Sequence, residues 1–181
     1  MSWFERRTVL LMPLALALAA CGFTPVYGPG GSGSALRGRV AIDAPATEDG
    51  YRLVENLEDR LGRAISPEYE LSLEVESREE GQAIKRSGDI TRYSVVGDVD
   101  YALRRLSDNA LVASGSVTNF ASYSATGLER DVRDDSGQLL GQLNATTVQT
   151  LAAERDAHER LMVMLADQIM ARLLATADLG Q

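Results

Sequence analysis

The chain has 181 residues, 45% hydrophobic and 24% charged, with 18 Lys+Arg against 26 Asp+Glu and a formal net charge of -8. That size suits one soluble domain with a modest core, and the acidic balance argues against a general nucleic-acid binder, which needs a basic footprint to meet phosphates. A single cysteine excludes an intrachain disulfide, and with only one histidine beside it the usual Cys/His zinc sites are excluded as well.

Residues 1–20 carry a short basic pair, Arg6-Arg7, and then run uncharged and almost wholly apolar from Val9 to Ala20. This is the length of a signal-peptide core and short for a bilayer span. The following string, Leu18-Ala19-Ala20-Cys21, resembles a bacterial lipobox. In that signal class the cysteine thiol receives a diacylglycerol and the chain is cut just before it. The expectation is a cleaved lipoprotein signal over 1–20 with Cys21 as the lipid-attachment residue. An ordinary secretory signal, or a buried helix with an incidental cysteine, is the competing reading. Gly22 in place of Asp after the cysteine favours, by the same resemblance, sorting to the outer membrane. Residues 21–38 are rich in Gly and Pro, with GGSGS at 30–34, and read as a flexible tether. Phe23, Val26 and Tyr27 are its apolar exceptions, available to dock on the domain, a partner or the headgroup region.

Residues 39–177 read as a single domain. Arg39–Asp43 predicts a short strand that Pro45 stops. Asp49 is placed to cap a helix running to about Ala64, with Leu53, Leu57 and Leu61 on one face and Val54 and Ile65 beside them. From Tyr69 to Glu76, apolar and polar residues alternate, which predicts a half-buried strand. Residues 79–89 are a polar excursion. A further strand begins near Ile90, with Tyr93, Val95, Val99, Tyr101 and Leu103 on one side and a gap in that row at Gly97. Arg92, Ser94, Asp98, Asp100 and Arg104 face the other way. Ser107-Asp108-Asn109 is a turn, and Leu111–Tyr123 completes an antiparallel hairpin. Residues 128–143, LERDVRDDSGQLLGQL, look like an insertion, either a hairpin extension or an exposed loop. Leu151, Leu161, Leu165, Ile169 and Leu173, with Met162 and Met164, line a helix over about Thr147–Ala175. The fold expected is α+β: a two-layer sandwich with two helices on one face of a four-stranded, mostly antiparallel sheet.

Candidate chemistry is sparse. His158 lacks a second histidine to share a metal and reads as a surface helix residue. Glu70, Glu74 and Glu76 share a strand face and read as a solvated edge rather than an acid–base pair. There is no phosphate-binding glycine motif. No catalytic residue, metal or cofactor is expected. The basic residues are the more telling because they are few. Lys85, the only lysine, adjoins Arg86 between two strands, and Arg92 follows closely. Such a cluster is a contact for lipid-borne phosphate, or a solubilising tip.

Five strings, in order along the chain, carry a resemblance: Cys21-Gly22-Phe23-Thr24-Pro25-Val26-Tyr27, Asp89-Ile90-Thr91-Arg92-Tyr93, Ser122-Tyr123-Ser124-Ala125, Ala153-Glu154-Arg155-Asp156-Ala157 and Leu165-Ala166-Asp167-Gln168-Ile169. Together they resemble the LPS-assembly lipoprotein family LptE in its alphaproteobacterial form. The resemblance implies a non-catalytic lipoprotein on the periplasmic side of the outer membrane. It would plug and help assemble the LptD β-barrel and aid lipopolysaccharide insertion at the cell surface. Its partners would be that barrel, lipopolysaccharide and, through its lipid, the membrane, with no nucleic acid. It places lipopolysaccharide contacts near Lys85, Arg86 and Arg92 by position. The 128–143 segment departs from the family pattern. A periplasmic lipid-binding carrier and an envelope hydrolase are the alternatives. The carrier requires an apolar cavity between helices and sheet, and the hydrolase requires titratable groups converging in a cleft.

Overall fold

In the computed structural model the described residues are 28, 31–43, 47–84, 90–125, 129–133, 139–144 and 146–177. The elements in chain order are α1 (Ser32–Leu36), β1 (Val40–Ile42), α2 (Glu48–Leu61), β2 (Tyr69–Ile84), β3 (Ile90–Arg105), β4 (Leu111–Ser124), β5 (Glu129–Arg133), β6 (Leu139–Asn144) and α3 (Thr146–Thr176). The main sheet has the order β1-β2-β3-β4, with β1 parallel to β2 and the other pairs antiparallel. Helices α2 and α3 cover one face of it, so the expected two-layer α+β architecture is the observed one.

The helix α2 forms where its periodicity places it, and its apolar face is fully buried at Leu53 and Leu57 and nearly so at Leu61. The cap is Thr47, not Asp49: its hydroxyl accepts from the Gly50 N–H at 3.1 Å. Asp49 instead sits in the first helical turn, where a carboxylate suits the helix dipole. The helix ends at Gly62, whose φ of 77° a side chain would resist and whose N–H closes on the Glu58 carbonyl. Ile65, expected beside the apolar stripe, lies past this stop and is 95% exposed. Thr47→Ala should lower the unfolding free energy by about 1 kcal/mol, the usual value of such a cap, as read from a urea melt.

Both helices run the same way along the sheet. Asp49 meets His158, Arg52 meets Glu159 at 3.7 Å, and Arg60 meets Asp167 at 2.6 Å. Between helices and sheet, Leu71, Val95, Val99 and Leu103 meet Leu161, Leu165, Ile169 and Leu173, all at 0% exposure. The Gly97 gap in β3 is filled from above. A Cβ there would sit 2.9 Å from Leu165 Cδ1 and 3.1 Å from Leu161 Cδ2, so α3 lies against bare backbone at this point. Leu151, expected in the same apolar line of α3, is 43% exposed and lines the cleft beside His158 rather than the leucine core. Two arginines of α3 reach the edge strand: Arg172 donates to the Ser116 carbonyl and Arg160 to the Ser122 carbonyl. They occupy acceptors that an edge strand otherwise offers to other chains.

Three further differences from the periodicity reading have physical causes. Strand β2 does not stop where its alternation stops. It pairs with β3 through Glu79, Glu80 and Gly81 and on to Ile84, because the backbone ladder continues whatever the side chains are. Segment 128–143 contributes a separate two-stranded sheet, β5 paired antiparallel with β6. Ser32–Leu36, inside the expected tether, forms one helical turn, and Leu36 is completely buried in the core.

Candidate functional site

Of the residues singled out from sequence, Cys21, Lys85 and Arg86 lie outside the described residues. Arg92 is described: it is exposed near the start of β3 and pairs in register with Ala83 and Ser124. Strand β2 ends at Ile84 and β3 starts at Ile90, so in chain order Lys85 and Arg86 come between the two strands.

The open face of the sheet is polar and mostly acidic. Glu70, Glu74, Glu76 and Glu80 on β2 and Asp100 on β3 are exposed there. Arg78 bridges this surface, pairing with Asp98 across the strands and with Glu80 at 3.2 Å. Asp98 is held below the ordinary carboxylate value, first by the Thr118 hydroxyl that donates to it and then by Arg78. Ser94, read from alternation as solvent-facing, is buried and shares a 2.8 Å hydrogen bond with Ser122 on β4.

A second cluster, invisible in the sequence, lies where the start of α2, the middle of α3 and the far half of β2 converge. His158 Nδ1 lies 2.8 Å and 3.0 Å from the two carboxylate oxygens of Asp49. Since an ionised carboxylate only accepts, the ring carries a proton on Nδ1. Asp49 also accepts from the Ser77 hydroxyl at 2.8 Å. On the neighbouring position of the same strand face, Glu79 accepts from the Tyr123 hydroxyl at 2.8 Å. Tyr123 stacks on Tyr93, with ring centroids 5.5 Å apart. Burial, followed by the Glu79 carboxylate, holds the Tyr123 phenol far above its ordinary value, so it remains a donor. His158 is therefore not the surface residue that its sequence neighbours suggest. Its side chain is 22% exposed and that of Asp49 is 12% exposed. Nothing in the sequence signals a pair 109 positions apart.

This arrangement resembles half of a hydrolytic triad without its chemistry. A nucleophilic serine must lie against the imidazole nitrogen remote from the aspartate. Ser77 instead spends its hydroxyl on the aspartate itself. The helix–sheet interface, where a lipid carrier would need space, is filled by side chains at 0% exposure. A cleft of about 340 Å³ opens beside His158 but is lined largely by polar residues, among them Thr47, Glu48, Asp49, Arg52 and Glu154.

The model of the family described as LptE, lipopolysaccharide-assembly, matches residues 38–173. No curated protein sequence matches the chain. Among solved structures, a candidate lipoprotein from Caulobacter crescentus CB15 is similar at 20% identity, covering 75% of this chain and 88% of that one, with a TM-score of 0.53. The minor lipoprotein from Acinetobacter baumannii is similar at 18% identity over 76% of this chain and 91% of that one, with a TM-score of 0.51. These two likenesses establish the shared fold, and the family model spans every element from β1 through most of α3. The chain belongs to the LptE lipopolysaccharide-assembly family, as a non-catalytic lipoprotein on the periplasmic face of the outer membrane and a plug and assembly partner of the LptD barrel.

Proposed function

We propose that Cys21 carries the lipid anchor, that the residues after it tether the domain, and that Lys85, Arg86 and Arg92 contact lipopolysaccharide phosphate at the β2–β3 end. The observation that carries the last point is the placement of Arg92. It stands exposed near the start of β3, and the other two cations precede that strand closely in the sequence. The tether enters at the opposite end. The Gly38 N–H bonds the Leu61 carbonyl at 2.7 Å, so the chain arrives beside the end of α2, next to the start of β2. At about 3.3 Å per residue, the 16-residue strand β2 separates these ends by about 50 Å. An anchor at one end and a basic tip at the other suit a domain held at the leaflet while its hairpin reaches lipopolysaccharide. The polar open sheet face suits the polar lumen of a large barrel, and its acidic character favours arginine and lysine on the facing wall.

Reversing charge at Lys85 and Arg86 together (K85E/R86E) tests the basic tip. Lipopolysaccharide binding by the full chain, read by surface plasmon resonance, should fall at least tenfold, as loss of charge-assisted hydrogen bonds requires. The far-UV circular dichroism and melting point should stay as in the parent. Unchanged binding would remove these residues from the site.

A further inference from the structure

We propose that His158, Glu154 and Glu79 form a site for one divalent transition-metal ion, of the class that zinc represents, where α3 meets β2. Their ligand atoms all lie within 4.8 Å of one another. Glu154 and His158 are four apart on α3 and so share one helix face. Glu79 comes from a different element, so the site forms only in the folded chain. From sequence alone a single histidine argues against a metal; the fold supplies the two carboxylates that change this.

Two features outside the three ligands support the assignment. The first is the set of partners behind them. Asp49 takes the Nδ1–H of His158, which leaves Nε2 as the nitrogen with a free lone pair. The Tyr123 hydroxyl donates to Glu79. A carboxylate behind a ligating imidazole and a donor behind a ligating carboxylate are the outer contacts that orient metal ligands. The second is charge. Glu154 is half-buried and, among the described residues, makes no hydrogen bond or ion pair. Glu79 is bonded by no arginine or lysine among those residues, and Asp49 adds a third carboxylate. Like charges this close oppose one another unless a cation lies between them.

The donor set selects the ion. One imidazole nitrogen with two carboxylate oxygens suits zinc and its neighbours, whereas magnesium and calcium prefer all-oxygen shells and copper(I) prefers sulfur. Water completes the coordination through the adjoining cleft, which Glu154 and His158 help line.

The test is calorimetric titration of zinc chloride into tag-free full-length protein in detergent, after dialysis against chelator, with and without excess magnesium. One zinc per chain should bind, and magnesium should not compete. Glu154→Gln should weaken binding at least 100-fold. It should leave the fold intact because the carboxylate has no hydrogen bond or ion pair to lose among the described residues, and a circular dichroism melt checks this. His158→Gln should have the same effect, and Asp49→Asn, which removes only an orienting partner, should cost about 10–100-fold. Absence of one-per-chain binding would overturn the proposal. So would binding that survives Glu154→Gln, which would mark an adventitious ion only.

Discussion

Leu165→Ala should lower the unfolding free energy of the domain by about 2–5 kcal/mol, among the largest effects of any single core truncation here. Leu165 is completely buried, and its Cδ1 lies directly over the bare backbone of Gly97. Truncation removes apolar contact and leaves a void with no side chain beneath to relax into it. The converse change, Gly97→Ala, places a methyl 2.9 Å from that same Cδ1 and should cost about 1–3 kcal/mol by overpacking. The two changes act on one space. The double variant should therefore be more stable than the sum of the single losses allows, with a coupling of about 0.5–3 kcal/mol. Urea melts of the four proteins check this cycle. Strict additivity would mean that α3 does not rest on β3 at Gly97.

Cys21→Ala, made behind an ordinary cleavable secretory signal in place of residues 1–20, should abolish the protein's own hold on the membrane. A single acyl chain binds a bilayer only marginally, whereas several chains together hold firmly. When the chain is made in excess over the barrel, the parent should sediment with membranes after a high-salt wash, and the variant should stay in the soluble fraction. Mass measurement of the mature amino terminus should show an acylated Cys21. A variant that sediments as the parent does would transfer the anchoring role to some other part of the chain.

The parts of the fold legible in the sequence are those where one face of an element is buried. Leu53, Leu57 and Leu61 define α2, and the alternation around Tyr69–Val75 and Tyr93–Leu103 defines the central strands, because burial on one side writes a period into the residues. Beyond Ser77 the period disappears while β2 continues, since its inward positions there face the polar cluster rather than leucines. Ile65 and Leu151 show the opposite failure: each fits an apolar period but lies outside the packed layer. The Asp49–His158 contact and the approach of Glu79 to α3 depend on helix placement over the sheet, which local pattern does not encode. The Lys85, Arg86 and Arg92 cluster rests in the sequence on the scarcity of cations; Arg92 stands exposed where β3 begins, and Lys85 and Arg86 lie outside the described residues.

This domain works by occupying an outer-membrane barrel rather than by catalysis or by carrying lipid alone. Membrane envelopes solubilised in mild detergent, followed by capture of the lipidated chain and mass spectrometry of what remains bound, test it most directly. One LptD barrel recovered per chain is the predicted result. Recovery of the chain as a solitary monomer, with the barrel present in the same extract but left behind, would contradict it.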